Sequence, residues 1–405
     1  MSNKPIVYWA APNEVCYLDF AARNNKRNMV TNNLVKTRLI SERILDNINS
    51  GDKVGVKIHA GEAYNTRYLR HDYVREVVEA VKSKGGIPTL IETQGLGMNI
   101  SELTLPEKYT ICLGHRKNQE DHNKIAHLHG YTESIVGAPL KFIDGEKGFE
   151  RKIVEIDGIH FKEVSVAAGL FDYDKMVVIS RFKGHPSAGF GGALKQLGIG
   201  CVAKQSKART HLSGIIFVNA KACKISKCAQ ECIKACPVNA IKIENEVAVI
   251  DISTCNGCTG CIEECPLRGA IIPEPFRGNK EFTECFSDNA AAVLASYNPE
   301  NIRYINFALD ITLVCDCVVN ASMPIIPDLG IFASNDPLAI DKACLDAEIN
   351  APGLPILDKE GKWSDPLPPG VEKFKTINHR VDPTWQLDAA VKNGIGSIDY
   401  ELVKI

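Results

Sequence analysis

No apolar run in this 405-residue chain approaches the roughly 18 residues that a membrane-crossing helix needs, so a membrane role is not expected. Excess charge is missing too. Lys and Arg number 47 against 49 Asp and Glu, a net of −2. A protein that grips nucleic acid concentrates basic residues, and that partner class has no support here. The opening MSNKPIVYWAAPNEV shows no charged leader before an apolar core. No export signal is read, and the cytoplasm is the expected compartment. No dinucleotide fingerprint or Walker loop occurs, so nicotinamide, flavin and nucleotide chemistry lose their usual signature. What the chain does have is cysteine, fifteen of them. Without an export signal these read as reduced thiols and metal ligands, not as a disulfide framework.

Eight of the fifteen fall between residues 223 and 265. Cys255, Cys258, Cys261 and Cys265, followed by Pro266, form the C-x2-C-x2-C-x3-C-P run of bacterial ferredoxins. Its spacing lets three thiolates from one tight loop reach three corners of a cubane, while the fourth serves the neighbouring cluster. A zinc site needs only four ligands, usually in two separated knuckles. The preceding run, Cys223, Cys228, Cys232 and Cys236–Pro237, is spaced x4, x3, x3. Its ending, CPVNAI, echoes CPLRGAI at 265–271, an internal repeat. The expectation is two 4Fe–4S clusters with crossed ligands. Cys223, Cys228, Cys232 and Cys265 would hold one, and Cys255, Cys258, Cys261 and Cys236 the other. Exposed clusters of this kind are oxygen-sensitive, which suits an anaerobic host.

Around this stretch the pattern is that of alternating strands and helices. IVYWA opens as a strand. Apolar residues from Leu34 to Ile48 recur at helical spacing. KVGVKIH at 53–59 alternates as a strand, Leu69–Lys84 is an amphipathic helix capped at Gly85-Gly86, and IPTLIET at 87–93 is the next strand. That is a βαβ unit, which implies a parallel sheet covered by helices. Four histidines, His115, His122, His127 and His129, mark 94–135, read as a solvated helical connector. Lys152–Ile156 and Ile159–Val166 suggest a hairpin turning at Asp157-Gly158. KMVVIS at 175–180 is a buried strand. Thr283–Tyr297 is a helix. YINFALDITLVCDC at 304–317 reads as a long strand, which would set Cys315 and Cys317 on one face. Asp328–Ser334 is another strand, Asn335-Asp336-Pro337 starts a helix, and the tail ends in one or two helices near 385–402.

The second chemically informative stretch is RFKGHPSAGFGGALKQLGIG at 181–200. It leaves a buried strand through glycines and enters a helix at Gly191. Free N–H groups at a helix start suit an anion, and Lys183, His185 and Lys195 add donors. KQSKARTH at 204–211 continues the basic character.

These segments, with the two cysteine runs, NFALDITLVCDC and PDLGIFASNDPLAIDKA at 306–343, and KVGVKIHAGE at 53–62, resemble the iron–sulfur type of the family catalogued as domain of unknown function 362. The resemblance covers about residues 50–350. It implies an open, mostly parallel α/β sheet with helices on both faces, interrupted by a bacterial-type two-cluster ferredoxin insert. The division expected is 1–219, 220–275 for the insert, and 276–405. It further implies that Lys57, Glu62, Lys183, His185, Gly189, Gly191, Gly192, Lys195, His211, Cys315, Asp316, Cys317, Asp328, Asp336 and Asp341 gather around one cleft. Lys183, His185, Lys195, His211 and Asp316 are the candidate catalytic groups. Cys315 and Cys317 are a candidate third metal site, completed by His185 or Cys285, or a redox dithiol. Two functions follow. One is an electron carrier meeting an acidic redox partner, such as a small ferredoxin, on Lys221, Lys224, Lys227 and Lys234. The other is a ferredoxin-coupled reductase acting on a small anionic substrate. A homodimer is compatible with either.

Overall fold

The computed structural model describes residues 4–12, 33–96, 103–104, 110–111, 115–212, 216–267, 269–273, 277–319, 322–358 and 360–405. Arg268 of the CPLRGAI motif, and 97–102, 105–109 and 112–114 of the histidine-marked stretch, lie outside these residues. Eight strands make the central sheet: β1 (Ile6–Ala10), β2 (Lys53–Lys57), β3 (Ile87–Glu92), β4 (Leu140–Phe142), β5 (Lys175–Arg181), β6 (Ile302–Ala308), β7 (Gly330–Ser334) and β8 (Glu401–Lys404). Their spatial order is β8-β1-β7-β6-β5-β2-β3-β4. The pairings of β7 with β1 and β6 are antiparallel. The other pairings are parallel.

The helices that matter here are α1 (Asn33–Ile44), α2 (His71–Ser83), α3 (Ala193–Gly198), α4 (Lys204–His211), α5 (Asn279–Ser296), α6 (Pro337–Asn350) and α7 (Thr384–Lys392). The central strands read as continuous apolar runs because both faces are covered. Val177 and Ile179 of β5 pack with Ile40 of α1 and Val77 of α2. Met176 and Val178 pack on the opposite side with Leu194, Phe286, Leu338 and Leu387 of α3, α5, α6 and α7. Asp336 caps α6 by accepting from Leu338 and Ala339 N–H at 2.9 and 2.8 Å, with Pro337 in the first turn, as the sequence predicts. Among the described residues no helix is long and apolar enough to cross a membrane.

From β2 the chain builds β3 and β4 outward on one flank. It then returns to lay β5 on the other flank of β2 and continues to β6. The order therefore reverses between β2 and β5. In open parallel sheets the crevice beyond the strand ends at such a reversal is where ligands bind.

Several expectations change. The stretch 181–200 is not a loop running into a helix: Lys183–His185 pairs with Gly189–Gly191 as a hairpin, and α3 begins at Ala193. Nor is that helix start open to an anion. Asp341 of α6 already accepts from Ala193 N–H at 2.7 Å and Leu194 N–H at 2.9 Å, and from Asn306 Nδ2 at 2.7 Å. A side chain at 192 would put its Cβ 2.2 Å from Asp341 Oδ1, so glycine is required there. The strand expected through 317 stops at Ala308, and Asp310 turns the chain with φ +54°. The hairpin at 157–158 is not a tight two-residue turn. Glu155 pairs with Glu163, and the Asp288 carboxylate of α5 holds the intervening loop through the N–H groups of Ile159, His160 and Phe161. The end of the tail is strand β8, laid parallel on β1, where a helix was expected.

Residues 216–273 carry a hydrophobic cluster of their own, including Cys223, Cys232, Ile241, Ala248 and Cys261. Each half repeats the other. Ile216–Val218 leads to Cys223, a helical turn at Glu231–Lys234 bearing Cys232, and strand Ile241–Glu244. Val247–Ile250 leads to Cys255, a helix at Gly260–Glu264 bearing Cys261, and strand Ile271–Pro273. The first strand of each half pairs with the last strand of the other. Cys223 N–H donates to Asn219 O and Cys255 N–H to Asp251 O, both at 2.9 Å. Gln230 and Thr259, just before the two helices, both take positive φ, 59° and 64°. The repeat seen in CPVNAI and CPLRGAI is therefore also a repeat of backbone. The extra residues of the first run fall at a 3-10 turn, Ile225–Lys227.

Asp341 is expected to be a stability determinant. Asp341→Ala strips three buried donors of their acceptor and should cost about 3 kcal/mol, read as a lowered urea midpoint. An unchanged midpoint would show that α3 does not depend on this cap.

Candidate functional site

The site is built from strand ends. Lys57 closes β2 and Glu92 closes β3, and their charged groups meet at 2.6 Å, both buried. Burial works against the Glu92 carboxylate. Lys57, His59 and His122 outweigh it and bring the group down to about 2. Beyond β5 the 183–191 hairpin lies against the turn after β6. Gly184 N–H donates to Thr312 O at 2.8 Å. A Cβ at 184 would stand 2.4 Å from the Leu313 carbonyl oxygen, so the two segments can touch only with glycine here.

Asp316 sits at the middle of that turn, fully buried, with Lys183 Nζ at 3.2 Å, His59 Nδ1 at 3.6 Å and Arg181 Nε at 3.7 Å. Burial opposes its ionisation, yet Lys183, His59 and Arg181 hold it well below the usual carboxylate range. Its carbonyl accepts from Glu62 N–H at 2.8 Å. On either side, Cys315 and Cys317 are joined as a disulfide. They lie in a turn, not on one face of a strand.

His185 faces this pair, its Nε2 3.9 Å from Cys317 Sγ. Its Nδ1 accepts from Ser187 N–H at 3.1 Å and Ala188 N–H at 3.0 Å. The donor atoms of His185, Cys315 and Cys317 all lie within 4.8 Å of one another, a spacing that one metal ion could use. Cys285, the other expected partner, is in the core on α5. Burial foremost, then Lys195, His211 and Lys183, keep His185 well below the ordinary histidine range, so the ring is neutral. His59 is lowered mainly by burial.

Lys195, on α3, is half-buried and has no ion-pair partner among the described residues. Burial first, then Lys183, brings its amine down to about 7. The helix α4 contributes Lys204, Lys207 and His211, which share a face. Lys204 Nζ pairs with Glu263 Oε2 at 2.7 Å, between Cys261 and Cys265. Lys207 Nζ donates to Thr93 Oγ1 at 2.7 Å, and burial lowers it to about 8. His211 Nδ1 donates to Lys207 O at 2.7 Å, which leaves Nε2 as an acceptor. Burial brings this imidazole to about 4.

A cavity of about 380 Å³ opens among these groups. The five predicted catalytic residues, Lys183, His185, Lys195, His211 and Asp316, all line it. Sequence reasoning missed His59, Glu92, Arg116, Arg181 and Lys207, which line it too. Lys57, Gly189, Cys315, Asp328, Asp336 and Asp341 do not, and the three aspartates hold Asp310 N–H, the start of α6 and the start of α3. The histidine-rich segment forms its helix at Gln119–Leu128, but the reading of it as solvated is corrected. His122 and His129 are buried, bonding Gln94 Oε1 at 3.1 Å and Ala60 O at 2.7 Å. They support the strand ends from beneath. Five cations against three carboxylates line the cavity, with the histidines neutral. The arrangement suits a small anion.

In the segment 216–273 the thiols act on one another. Burial, then Cys265, Cys228 and Cys223, push the Cys232 thiol up to about 11. Burial chiefly, and among the sulfurs Cys236 and Cys255, push Cys258 up to about 11. Ala248 N–H donates to Cys223 Sγ at 3.5 Å and Ala240 N–H to Cys236 Sγ at 3.2 Å.

A model of the family described as "Domain of unknown function (DUF362)" matches residues 54–346. Two solved structures are similar. One is a structural-genomics crystal structure of a protein from Thermotoga maritima, at 12% identity, 77% of this chain, 58% of that chain and a TM-score of 0.35. The other is the lactate racemase apoprotein from Thermoanaerobacterium thermosaccharolyticum, at 12% identity, 78% and 53% coverage and a TM-score of 0.32. The chain spans little more than half the length of either.

A neutral amine is a nucleophile, so Lys195 is expected to label with trinitrobenzenesulfonate with a midpoint near pH 7. Surface lysines should require about pH 10. Peptide-resolved mass spectrometry measures this, and Lys195→Arg should remove the early phase. A Lys195 that labels only with the surface lysines would mean its ammonium is not destabilised.

Proposed function

The chain belongs to the DUF362 family, and we propose that it is an iron–sulfur redox protein: residues 220–275 form a two-cluster ferredoxin unit, and the cleft of the α/β body receives a small anion for reduction. The observation that carries this reading is the pair of cysteine-bearing halves that repeat one another and close on one small core. The sulfurs acting on Cys232 are Cys265, Cys228 and Cys223, and those acting on Cys258 are Cys236 and Cys255; Cys261 feels Cys258, Cys255 and Cys236, and also Cys232 across the core. The neighbours of Cys232 and Cys258 support the crossed assignment that the spacing suggests.

The residues fit the group. Buried thiols that suppress one another's ionisation need cationic partners, and iron supplies them. Each thiolate of a cubane binds a different iron, so two loose sets of four are the pattern required, unlike a tight single-ion trio. The N–H groups of Ala240 and Ala248, aimed at Cys236 and Cys223, are donors of the kind that tune such sulfurs. Two bound 4Fe–4S clusters supply one-electron chemistry.

The rest is the work of the chain's own side chains. Lys183, Arg181 and His59 fix Asp316 as a spectator anion. Lys195 remains to meet a substrate's negative charge, since Arg116 is paired with Glu62 at 3.2 Å. His185 and His211 are neutral and present one donor and one acceptor for proton movement. Lys204, bonded to Glu263, and Lys207 and His211, on the cleft, share the face of one helix. That supports a reductase, since the cysteine-rich unit and the cleft are seated on the same element. Lys221, Lys224, Lys227 and Lys234 are exposed around the first cysteine run. They support docking of an acidic redox protein there, the part of the carrier reading that persists.

Anaerobically prepared protein is expected to hold about eight irons and eight acid-labile sulfides per chain. Cys258→Ser should leave about half of each. Protein that stays colourless after anaerobic reconstitution, or that retains zinc in place of iron, would rule the reading out.

A further inference from the structure

We propose that Cys315 and Cys317 are a catalytic dithiol–disulfide pair that reduces a small anionic disulfide bound in the cleft. Cys317 attacks, Cys315 resolves, and His185 stabilises the attacking thiolate. The proposal rests on the cleft as the substrate site but not on iron in the cysteine-rich segment.

The two cysteines differ in the way such a pair requires. Cys317 lines the cavity and is partly exposed, whereas Cys315 is 1% exposed and lies behind it. They are already bonded, so the turn accommodates the oxidised state. The residue between them is clamped by Lys183, His59 and Arg181, which holds both sulfurs against the hairpin that carries His185. Cations outnumber carboxylates on the walls, and Lys195 lacks a partner of its own among the described residues. The substrate is therefore an anion.

The hydrogen bonding of His185 separates this chemistry from metal binding. Two backbone N–H groups point at Nδ1, so that nitrogen carries the lone pair. In the neutral ring Nε2 then bears the proton and faces Cys317 Sγ. Ligation of a metal through Nε2 would need the proton on Nδ1, donor against donor. The ring as held donates to sulfur.

The reaction balances as a thiol–disulfide exchange. The Cys317 thiolate attacks one sulfur of the substrate. A Cys317–substrate bond forms, the substrate S–S bond breaks, and the leaving thiolate takes a proton from water. The Cys315 thiolate then attacks Cys317 Sγ, reforming the protein disulfide and releasing the second thiol. Two electrons and two protons have passed to the substrate. Two equivalents of a low-potential one-electron donor, with two protons from water, restore the dithiol.

The test uses the full chain with peptide-level readout. After mild oxidation, N-ethylmaleimide should add nothing to the peptide holding Cys315 and Cys317; after dithiothreitol it should add two groups. The reduced chain is then offered dithiodipropionate, a dianion, or cystamine, a dication, both alkyl disulfides without an activated leaving group. The dianion should react at Cys317 at least about tenfold faster, and Lys195→Gln should narrow that ratio. Cys315→Ser should trap the mixed disulfide on Cys317. His185→Phe should move the pH profile of Cys317 labelling upward. Two labels without reduction, equal rates for the two probes, or a zinc or iron ion released by Cys317→Ser would each overturn the proposal. Wild-type labelling decides the matter even if a variant fails to fold. Because labelling does not require iron, an iron-free chain with a reducible pair would sink the cluster reading and leave this one standing.

Discussion

Asp316 lies inside the protein with three cationic or titratable groups within 3.7 Å, drawn from Lys183, His59 and Arg181. Those groups arrive from the end of β2, the end of β5 and the hairpin that follows it; the aspartate arrives from the turn after β6. One carboxylate thus ties together the strand ends on both sides of the topological reversal. A buried charge stripped of its partner typically costs about 3–5 kcal/mol, so each segment is held in place by the penalty for leaving. Burial of Phe190 in the hairpin and Ile311 in the turn adds hydrophobic anchorage to this polar tie.

That constraint sets the electrostatics of the cleft. With Asp316 committed to three neighbours and Glu92 to Lys57, two of the lining carboxylates are already engaged and little negative charge remains to pair with Lys195. Burial then destabilises every unpaired positive charge. The imidazoles of His59, His185 and His211 are pushed toward neutrality, and the amine of Lys195 to about 7. An incoming anion would offset that cost.

Much of this was legible in the chain and some was not. The βαβ unit showed in the periodicity of 34–93, and Asp336-Pro337 announced α6, because those signals are local. The convergence of the five candidate groups on one cleft came from the family resemblance, not from any local pattern. The strand through 317 was misread: LVCDC is apolar and β-branched enough to extend β6, but Asp310 adopts a left-handed conformation and breaks the run. The anion site at α3 was misread because its occupant, Asp341, is far along the chain. His59, Arg116 and Lys207 escaped because nothing near them in sequence reveals that the sheet brings them to one place.

The cysteine-rich segment poses the same issue of placement on a larger scale. Its two halves close on each other through paired strands, so its internal structure owes little to the body. What joins it to the cleft wall is Lys204, 1% exposed, whose ammonium meets Glu263 and also the Lys117 carbonyl at 2.5 Å. A buried ion pair contributes little net stability, yet a segment seated one residue off would strand both charges. The pair therefore specifies a docking position more than it strengthens one. Glu263 lies between two of the eight cysteines and Lys204 is one turn from Lys207. Any displacement of the segment would consequently pull on the helix that supplies Lys207 and His211, and the geometry of the cleft is bound to the seating of the sulfurs.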